Sequence, residues 1–244
     1  MIHLAAYTSV IGSMKNPEYT NQLNISGSIK VFQTAITKGV KKVILASTSA
    51  VYGELAKSTI TEHDPTHPIS PYGMSKLTME QYAHYFALHS DTAFIPLRFF
   101  NAFGPRQDAN SDYAAAIPIF IAKGLAHQPL TIFGDGNQTR DFIYVANIAQ
   151  AILQAAQYSG KPINFTPFNI GSGTSISILE LVNTLTRKLD NQISQKFLPA
   201  RKGEILHSGA SITKSIEFFG DYNLISFEEG LSDTIDYFKA QLLK

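Results

Sequence analysis

"KKVILAS", residues 41–47, decides the fold. Two lysines mark an exposed entry, and Val43, Ile44, Leu45 and Ala46 follow without a polar interruption. A strand with one wet face alternates apolar and polar residues. An unbroken apolar run fits a strand covered on both faces, as in parallel sheets. "AFIPLRFF" (93–100) reads the same way, and so does the opening "MIHLAA" (1–6). Helical patterns separate these strands. "NPEYTNQLNISGSIKVFQTAITKG" (16–39) has an N-cap in Asn16, a first-turn proline in Pro17 and a terminating Gly39. Its spacing predicts that Leu23, Ile29, Phe32 and Ile36 face the core. "SPYGMSKLTMEQYAHYFALH" (70–89) is a second helix, opened by Pro71. Strand, helix, strand, helix, strand predicts an α/β fold with a doubly wound parallel sheet.

Beyond Gly104 the rhythm loosens. Helices are expected at 114–127 and 144–157, a strand and turn at 130–136, and a strand, glycine turn and helix over 167–185. Two last helices are expected at 211–220 and 227–241. No linker or repeat separates the halves, so the second half reads as a smaller, interleaved α+β lobe.

Composition narrows the function. Hydrophobic residues make up 44% and charged residues 16% of the chain, which argues for a packed core and against a disordered, solvating protein. A net charge of +1, with basic residues dispersed, leaves no footprint for nucleic acid or an anionic membrane. No apolar run reaches the roughly 18–20 residues of a membrane span. The absence of cysteine rules out disulfides and thiolate chemistry and fits a reducing compartment, with cytoplasmic location the expectation.

Four groups of residues carry chemistry. Tyr72 and Lys76, one turn apart, share a helix face. An ammonium near a phenol favours the phenolate, which turns tyrosine into a general base toward an alcohol. An exposed helix pair is the plainer reading. "ASTSAVYG" (46–53) places small hydroxyl residues, Thr48 among them, at the carboxyl end of a buried strand, where open α/β sheets bind ligands. A self-satisfied Ser/Thr turn would look the same. "RFFNAFGPRQD" (98–108) brings Asn101 and Arg106 to the same edge. Arg140 and Arg201 offer guanidinium forks suited to phosphate, although surface arginines mostly meet water. No metal-ligand cluster is expected.

Together and in this order, "HLAA", "STSAVYG", "SPYGMSK", "RFFNAFGPRQD", "GDGNQTRDFIYV", "NIGSG" and "PARKGEILHS" resemble the extended short-chain dehydrogenase/reductase family. Within it the chain is most similar to the NAD-dependent nucleotide-sugar epimerases and dehydratases, in particular 4-epimerases of UDP-glucose and UDP-N-acetylglucosamine. The resemblance runs essentially end to end. It implies an incomplete Rossmann-type parallel sheet, its first strands missing, from 1–104 plus about 138–170, and a substrate lobe from 105–137 plus 171–244. In that family "HLAA" is the fourth strand, preceded by a Gly-x-x-Gly-x-x-Gly turn under the cofactor pyrophosphate. The expectation is therefore a family member entered about a quarter of the way in, with poor solubility and weak NAD binding. Gly171-Ser172-Gly173 lacks the third glycine and lies in the wrong half, so it is expected to be structural.

Carried over residue by residue, the resemblance makes Tyr72 the catalytic base, Lys76 its pKa-lowering and ribose-binding partner, and Thr48 the hydroxyl that orients substrate. Ala5, Ala6, Asn24 and Ser47 join Tyr72 and Lys76 at the NAD site. Thr48, Asn101, Arg140, Arg201, Glu204 and Ser208 fall at the nucleotide-sugar site, Glu204 standing where the family usually has Asp. The reaction implied is inversion at C4 of a UDP-hexose or UDP-N-acetylhexosamine through a 4-keto sugar, in a homodimer. The family's dehydratases follow the threonine with Asp-Glu, whereas Ser49 and Ala50 follow Thr48 here, so epimerase is preferred to dehydratase. Ser208 sits where a small residue leaves room for an N-acetyl group. A remnant or split-gene fragment that binds or pairs without turnover is the alternative from another class.

Overall fold

A computed structural model of the chain describes residues 1–55, 57–109, 115–190, 192–200 and 206–242. In chain order the elements are β1 (Ile2–His3), α1 (Val10–Lys15), α2 (Pro17–Asn21), α3 (Gly27–Thr37), β2 (Lys42–Thr48), β3 (Thr59–Ile60), α4 (Pro71–Leu88), β4 (Ala93–Phe99), β5 (Asn101–Phe103) and α5 (Ala116–Leu125). There follow β6 (Leu130–Phe133), β7 (Thr139–Tyr144), α6 (Val145–Gln157), β8 (Phe168–Ile170), β9 (Ser175–Ser177), α7 (Ile178–Leu189), β10 (Gln195–Leu198), β11 (His207–Ala210), α8 (Thr213–Phe219) and α9 (Phe227–Leu242).

The predicted parallel sheet is present, ordered β1-β2-β4-β8. Successive side chains of a strand point to opposite faces, and β2 fills both. Val43 and Leu45 pack with Phe32, Met79, Ala83 and Phe94 under α3 and α4, while Ile44 packs with Ile95, Leu97, Ile148 and Ile152 under α6. Each such side chain contributes roughly 1.5–3 kcal/mol on burial, which is why the run tolerates no polar residue. Register pairs Lys42 with Ala93 through Thr48 with Phe99, so both strands end at one edge.

A second sheet runs β3-β11-β7-β5, with β9 antiparallel to β7, and β6 pairs separately with β10. Its core gathers Phe103, Phe120, Ile121, Phe142, Leu181 and Leu231 between α5, α7 and α9. Residues 139–144, expected with the first lobe, pair with β5 and β11 in the second sheet. Conversely α8 and Tyr222, expected in the substrate lobe, return to pack with Ile44, Ile95 and Phe168. The opening segment contributes only Ile2–His3 to the sheet rather than the whole of residues 1–6.

The first helix is interrupted by a π-helical turn at Gln22–Ser26. Asn16 caps Tyr19 N–H at 3.1 Å and Gly39 adopts φ +67°, as its ends predict. The π turn adds a residue, however, and rotates the inward face. Thr20, Asn24, Ser28, Phe32 and Ala35 are buried, while Leu23, expected in the core, is 41% exposed.

Candidate active site

Thr48 ends β2 and its hydroxyl caps the tight turn Ser49–Val51, accepting from Ala50 N–H at 3.2 Å. Tyr72 stands on the first turn of α4, where Ser70 caps the helix by accepting from Gly73 N–H at 3.1 Å. Tyr72 N–H donates to Ser13 Oγ of α1 at 3.0 Å, so the free first turn of α4 is satisfied from two sides. A methyl group on Gly73 would lie 2.6 Å from the Ala50 carbonyl oxygen. Glycine thus lets the helix that carries Tyr72 rest directly on the turn that follows Thr48. The two side chains line the same spaces, and the Thr48 hydroxyl is near enough to the Tyr72 phenol to favour its charged form.

Lys76, one turn along, is 3% exposed and donates from Nζ to the Ala46 carbonyl at 2.7 Å. Burial lowers its ammonium from 10.5 to about 8, against the pull of Glu80. Burial pushes the Tyr72 phenol above its ordinary value, with the Thr48 hydroxyl pulling it back. Against the expected depression of Tyr72 by Lys76, burial is the larger influence on the phenol, and the Lys76 ammonium donates to the strand. Beside Lys76, His3 bonds Ser28 Oγ through Nε2 at 2.9 Å, and burial plus the Lys76 charge hold its pKa below 6.5.

Two cavities meet at Thr48, Tyr72 and Phe100. One, of about 570 Å³, is lined by Leu4, Thr8, Ala46, Ser47, Lys76, Ile148 and Ile152. It lies at the carboxyl ends of β1, β2 and β4, where open parallel sheets take ligands. The other, of about 660 Å³, runs past Ser49, Ala50, Gly53 and Glu54 to Asn101, Arg140 and Ser208. Asn101 and Arg140 also line a third space of about 250 Å³ that continues to Ala116, Phe142 and Ile178. Arg140 and Ser208 are register partners on β7 and β11. Arg140 is braced by donating from Nη1 to the Thr139 carbonyl at 2.8 Å, and Asn101 by donating to the Asp141 carbonyl at 3.0 Å.

Other expected residues are placed differently. Leu4 and Thr8 bring the first segment to the smaller cavity, and Ala5 and Ala6 flank them. Asn24 spends its amide on Tyr7, accepting from N–H at 2.7 Å and donating to the carbonyl at 2.9 Å, and also donates to Ser75 Oγ at 2.9 Å. It fixes the wall rather than facing the cavity. Ser47 lines the cavity, but its hydroxyl is bonded to Glu80. Arg106 is exposed, with φ +70°. Arg201 and Glu204 lie outside the described residues. The turn Gly171–Gly173 is structural, as expected: Asp141 accepts from Ser172 N–H at 2.7 Å and from Gly173 N–H at 3.0 Å.

Glu80 and Arg98 escaped the sequence reading. Arg98 interrupts the apolar run "PLRFF", and a charge inside a strand buried on both faces must find a partner. That signal, with Glu80 one turn after Lys76, pointed to the pair.

Comparison with known proteins gives this geometry a context. A family model described as the NAD dependent epimerase/dehydratase family matches residues 1–171. A putative UDP-glucose 4-epimerase of Methanocaldococcus jannaschii is 34% identical over 98% of this chain and 76% of its own length. The crystal structure of UDP-glucose 4-epimerase with UDP-glucose from Thermotoga maritima superposes with a TM-score of 0.93 at 35% identity, over 99% of this chain and 77% of that one. The UDP-N-acetylglucosamine 4-epimerase from Methanobrevibacter ruminantium M1, in complex with UDP-N-acetylmuramic acid, gives 0.92 at 40% identity, over 98% and 76%. With two adjoining cavities hinged on a Thr–Tyr pair, at the carboxyl edge of a parallel sheet, the chain belongs to the NAD-dependent epimerase/dehydratase family.

Proposed function

We propose that this protein inverts C4 of a UDP-sugar, using NAD held in the smaller cavity and the sugar nucleotide in the larger. The observation that carries this reading is that Thr48 and Tyr72 line both spaces at once. The smaller cavity fits the nicotinamide end of the cofactor in chemistry: a buried ammonium suited to ribose hydroxyls and apolar Leu4, Ile148 and Ile152 for a flat ring. Bound NAD supplies a hydride acceptor that is also the donor on return. Tyr72 takes the proton of the sugar 4-hydroxyl and gives it back after the 4-keto sugar has turned over. Thr48 orients that hydroxyl, and Lys76 holds positive charge near the phenol. Asn101 and Arg140 receive the diphosphate, with Arg201 and Glu204 assigned there by sequence resemblance.

A neutral sugar is favoured. Among the described residues lining the larger cavity, Glu54 is the only carboxylate and Arg140 the only cation, so a uronic acid would bring a second negative charge against Glu54. Buried Ser208 leaves room for an N-acetyl group. A homodimer through the outer faces of the first two long helical segments, as the resemblance implies, is supported by exposed Met74, Tyr82, Tyr85 and Leu88 along one stripe of α4. Sedimentation tests it. Among the described residues no helix is long and apolar enough to cross a membrane, and the lack of cysteine supports a cytoplasmic site of action.

The deciding assay incubates the protein with NAD and, separately, UDP-galactose, UDP-N-acetylgalactosamine and UDP-glucuronate, following the C4 epimer by proton NMR. Conversion of one or both neutral sugars is expected. Folded protein that converts none of the three defeats the proposal, and conversion of the glucuronate alone defeats the role given to Glu54. Ser208→Tyr should suppress the N-acetylated substrate selectively; an unchanged ratio would remove Ser208 from the account.

A further inference from the structure

We propose that Glu80 is a positioning residue for the site, acting as the fixed counter-charge of the Lys76 ammonium and itself held by Arg98 and Ser47. This takes from the proposed function only that the Lys76 ammonium belongs to the site. Glu80 follows Lys76 by one helical turn, and both are 3% exposed. Arg98 grips the Glu80 carboxylate with a fork, Nε to Oε1 at 3.0 Å and Nη2 to Oε2 at 2.7 Å. The Ser47 hydroxyl donates to the same Oε1. Lys76 and Glu80 therefore hold consecutive residues of β2, the Ala46 carbonyl and the Ser47 hydroxyl, immediately before Thr48.

The pair is anchored on its far side as well. Arg98 Nη1 donates to the Tyr52 hydroxyl at 2.9 Å, which donates to Asn169 Oδ1 at 2.6 Å. Tyr52 follows the turn that Thr48 caps, so one buried network fixes the settings of both Lys76 and Thr48. A stability role alone does not account for it. A buried ion pair is often replaceable by apolar residues at little or no cost, and Arg98 with Glu80 would be neutral anywhere in the core. What this placement adds is a carboxylate one turn from a desolvated ammonium whose direct partner is a neutral carbonyl. The titratable groups around Lys76 are His3 from β1 and Tyr72 and Glu80 from α4, with Arg98 of β4 behind Glu80 and Asp108 lining the same cavity. Asp108 is exposed to solvent, so Glu80 is the buried carboxylate among them.

The test reads Lys76 directly and needs no turnover. The Lys76 Nζ titration is followed by heteronuclear NMR in the unaltered chain, in Glu80→Gln and in the double variant Glu80→Leu/Arg98→Met, which removes the Glu80–Arg98 ion pair as a whole. Midpoints about one pH unit or more lower than in the unaltered chain are expected in each folded variant, the scale on which an opposite charge moves a neighbour. The pH above which NAD binding weakens should move down with them. An unchanged Lys76 midpoint in either folded variant overturns the proposal, whatever the enzyme's substrate proves to be.

Discussion

Burial holds the Tyr72 phenol above its ordinary value, so its use as a base calls for positive charge close by. Burial raises the phenol, the Thr48 hydroxyl offsets part of that, and the Lys76 ammonium faces the Ala46 carbonyl. Positive charge arriving with an oxidised cofactor would tip the balance toward the phenolate. Tyr72→Phe should therefore lower kcat by roughly 10²- to 10⁴-fold, the usual weight of a positioned acid–base group, while calorimetry finds UDP-sugar binding intact. Parallel losses in binding would mean that the phenol serves recognition only. Lys76 makes a separate prediction in stability. Its folded value of about 8 lies below the ordinary 10.5, so the unfolded chain binds the proton more tightly between these limits. On this group's account stability rises as pH climbs from about 8 to 10.5 and is least below that window. Lys76→Met removes a charge that is costly only where it is protonated. Its Tm relative to the unaltered chain should thus be more favourable at pH 7 than at pH 10. Equal differences at the two pH values would show that Lys76 is not desolvated as described.

Elements carry these groups to one another, and here the turn matters as much as the strand. The packing of α4 on Ser49–Val51 depends on Gly73, whose missing side chain would overlap the Ala50 carbonyl. Gly73→Ala favours the isolated helix by about 1 kcal/mol, yet it should lower activity by pushing Tyr72 away from Thr48. Helical content would be retained by circular dichroism while kcat falls. A variant as active as the parent would show that this contact can relax freely. Sequence reasoning found β2, β4, α4 and α6 nearly to the residue, because continuous apolar strands and capped amphipathic helices announce themselves. It missed β7, six residues long, and β3, β5, β9, β10 and β11, of two to four residues, all of which pair with partners far away in the chain. It also mistook the face of the first helix. Leu23 fits the 3.6-residue period, but the π turn at Gln22–Ser26 turns it outward and Asn24 inward. The gain is a buried amide that clamps both backbone groups of Tyr7, next to the Thr8 that lines the smaller cavity. No apolar pattern could reveal a helix whose inward stripe opens with Thr20, Asn24 and Ser28.

For the whole molecule, the question is what holds the two sheets at the distance the cavities require. Asp141 answers it. The residue lies on β7, is fully buried, and receives Ser172 N–H at 2.7 Å, Ser172 Oγ at 2.8 Å, Gly173 N–H at 3.0 Å and Ala210 N–H at 3.2 Å. Ser172 and Gly173 directly follow β8 of the first sheet, whereas Ala210 belongs to β11 of the second. One carboxylate thus joins the sheets, and its neighbours in sequence and register, Arg140 and Ser208, line the larger cavity. The glycine turn was readable as structural from its spacing, but its occupant was not, because nothing local links residue 141 to residue 172. Four donors converging on two oxygens need acceptors at both. Asp141→Asn keeps the shape and sets an NH₂ against at least one of them. Given hydrogen bonds to charge worth about 1.5–3 kcal/mol each, a loss of about 3 kcal/mol is expected, or roughly 6–12 °C in Tm for a chain of this size. The same variant should weaken the larger cavity's ligand more than the smaller one's, since Arg140 and Ser208 ride on the strands it releases. Thermal unfolding with paired UDP-sugar and NAD titrations decides the matter. A variant that melts like the parent, or that loses both ligands equally, would place the junction between the sheets elsewhere.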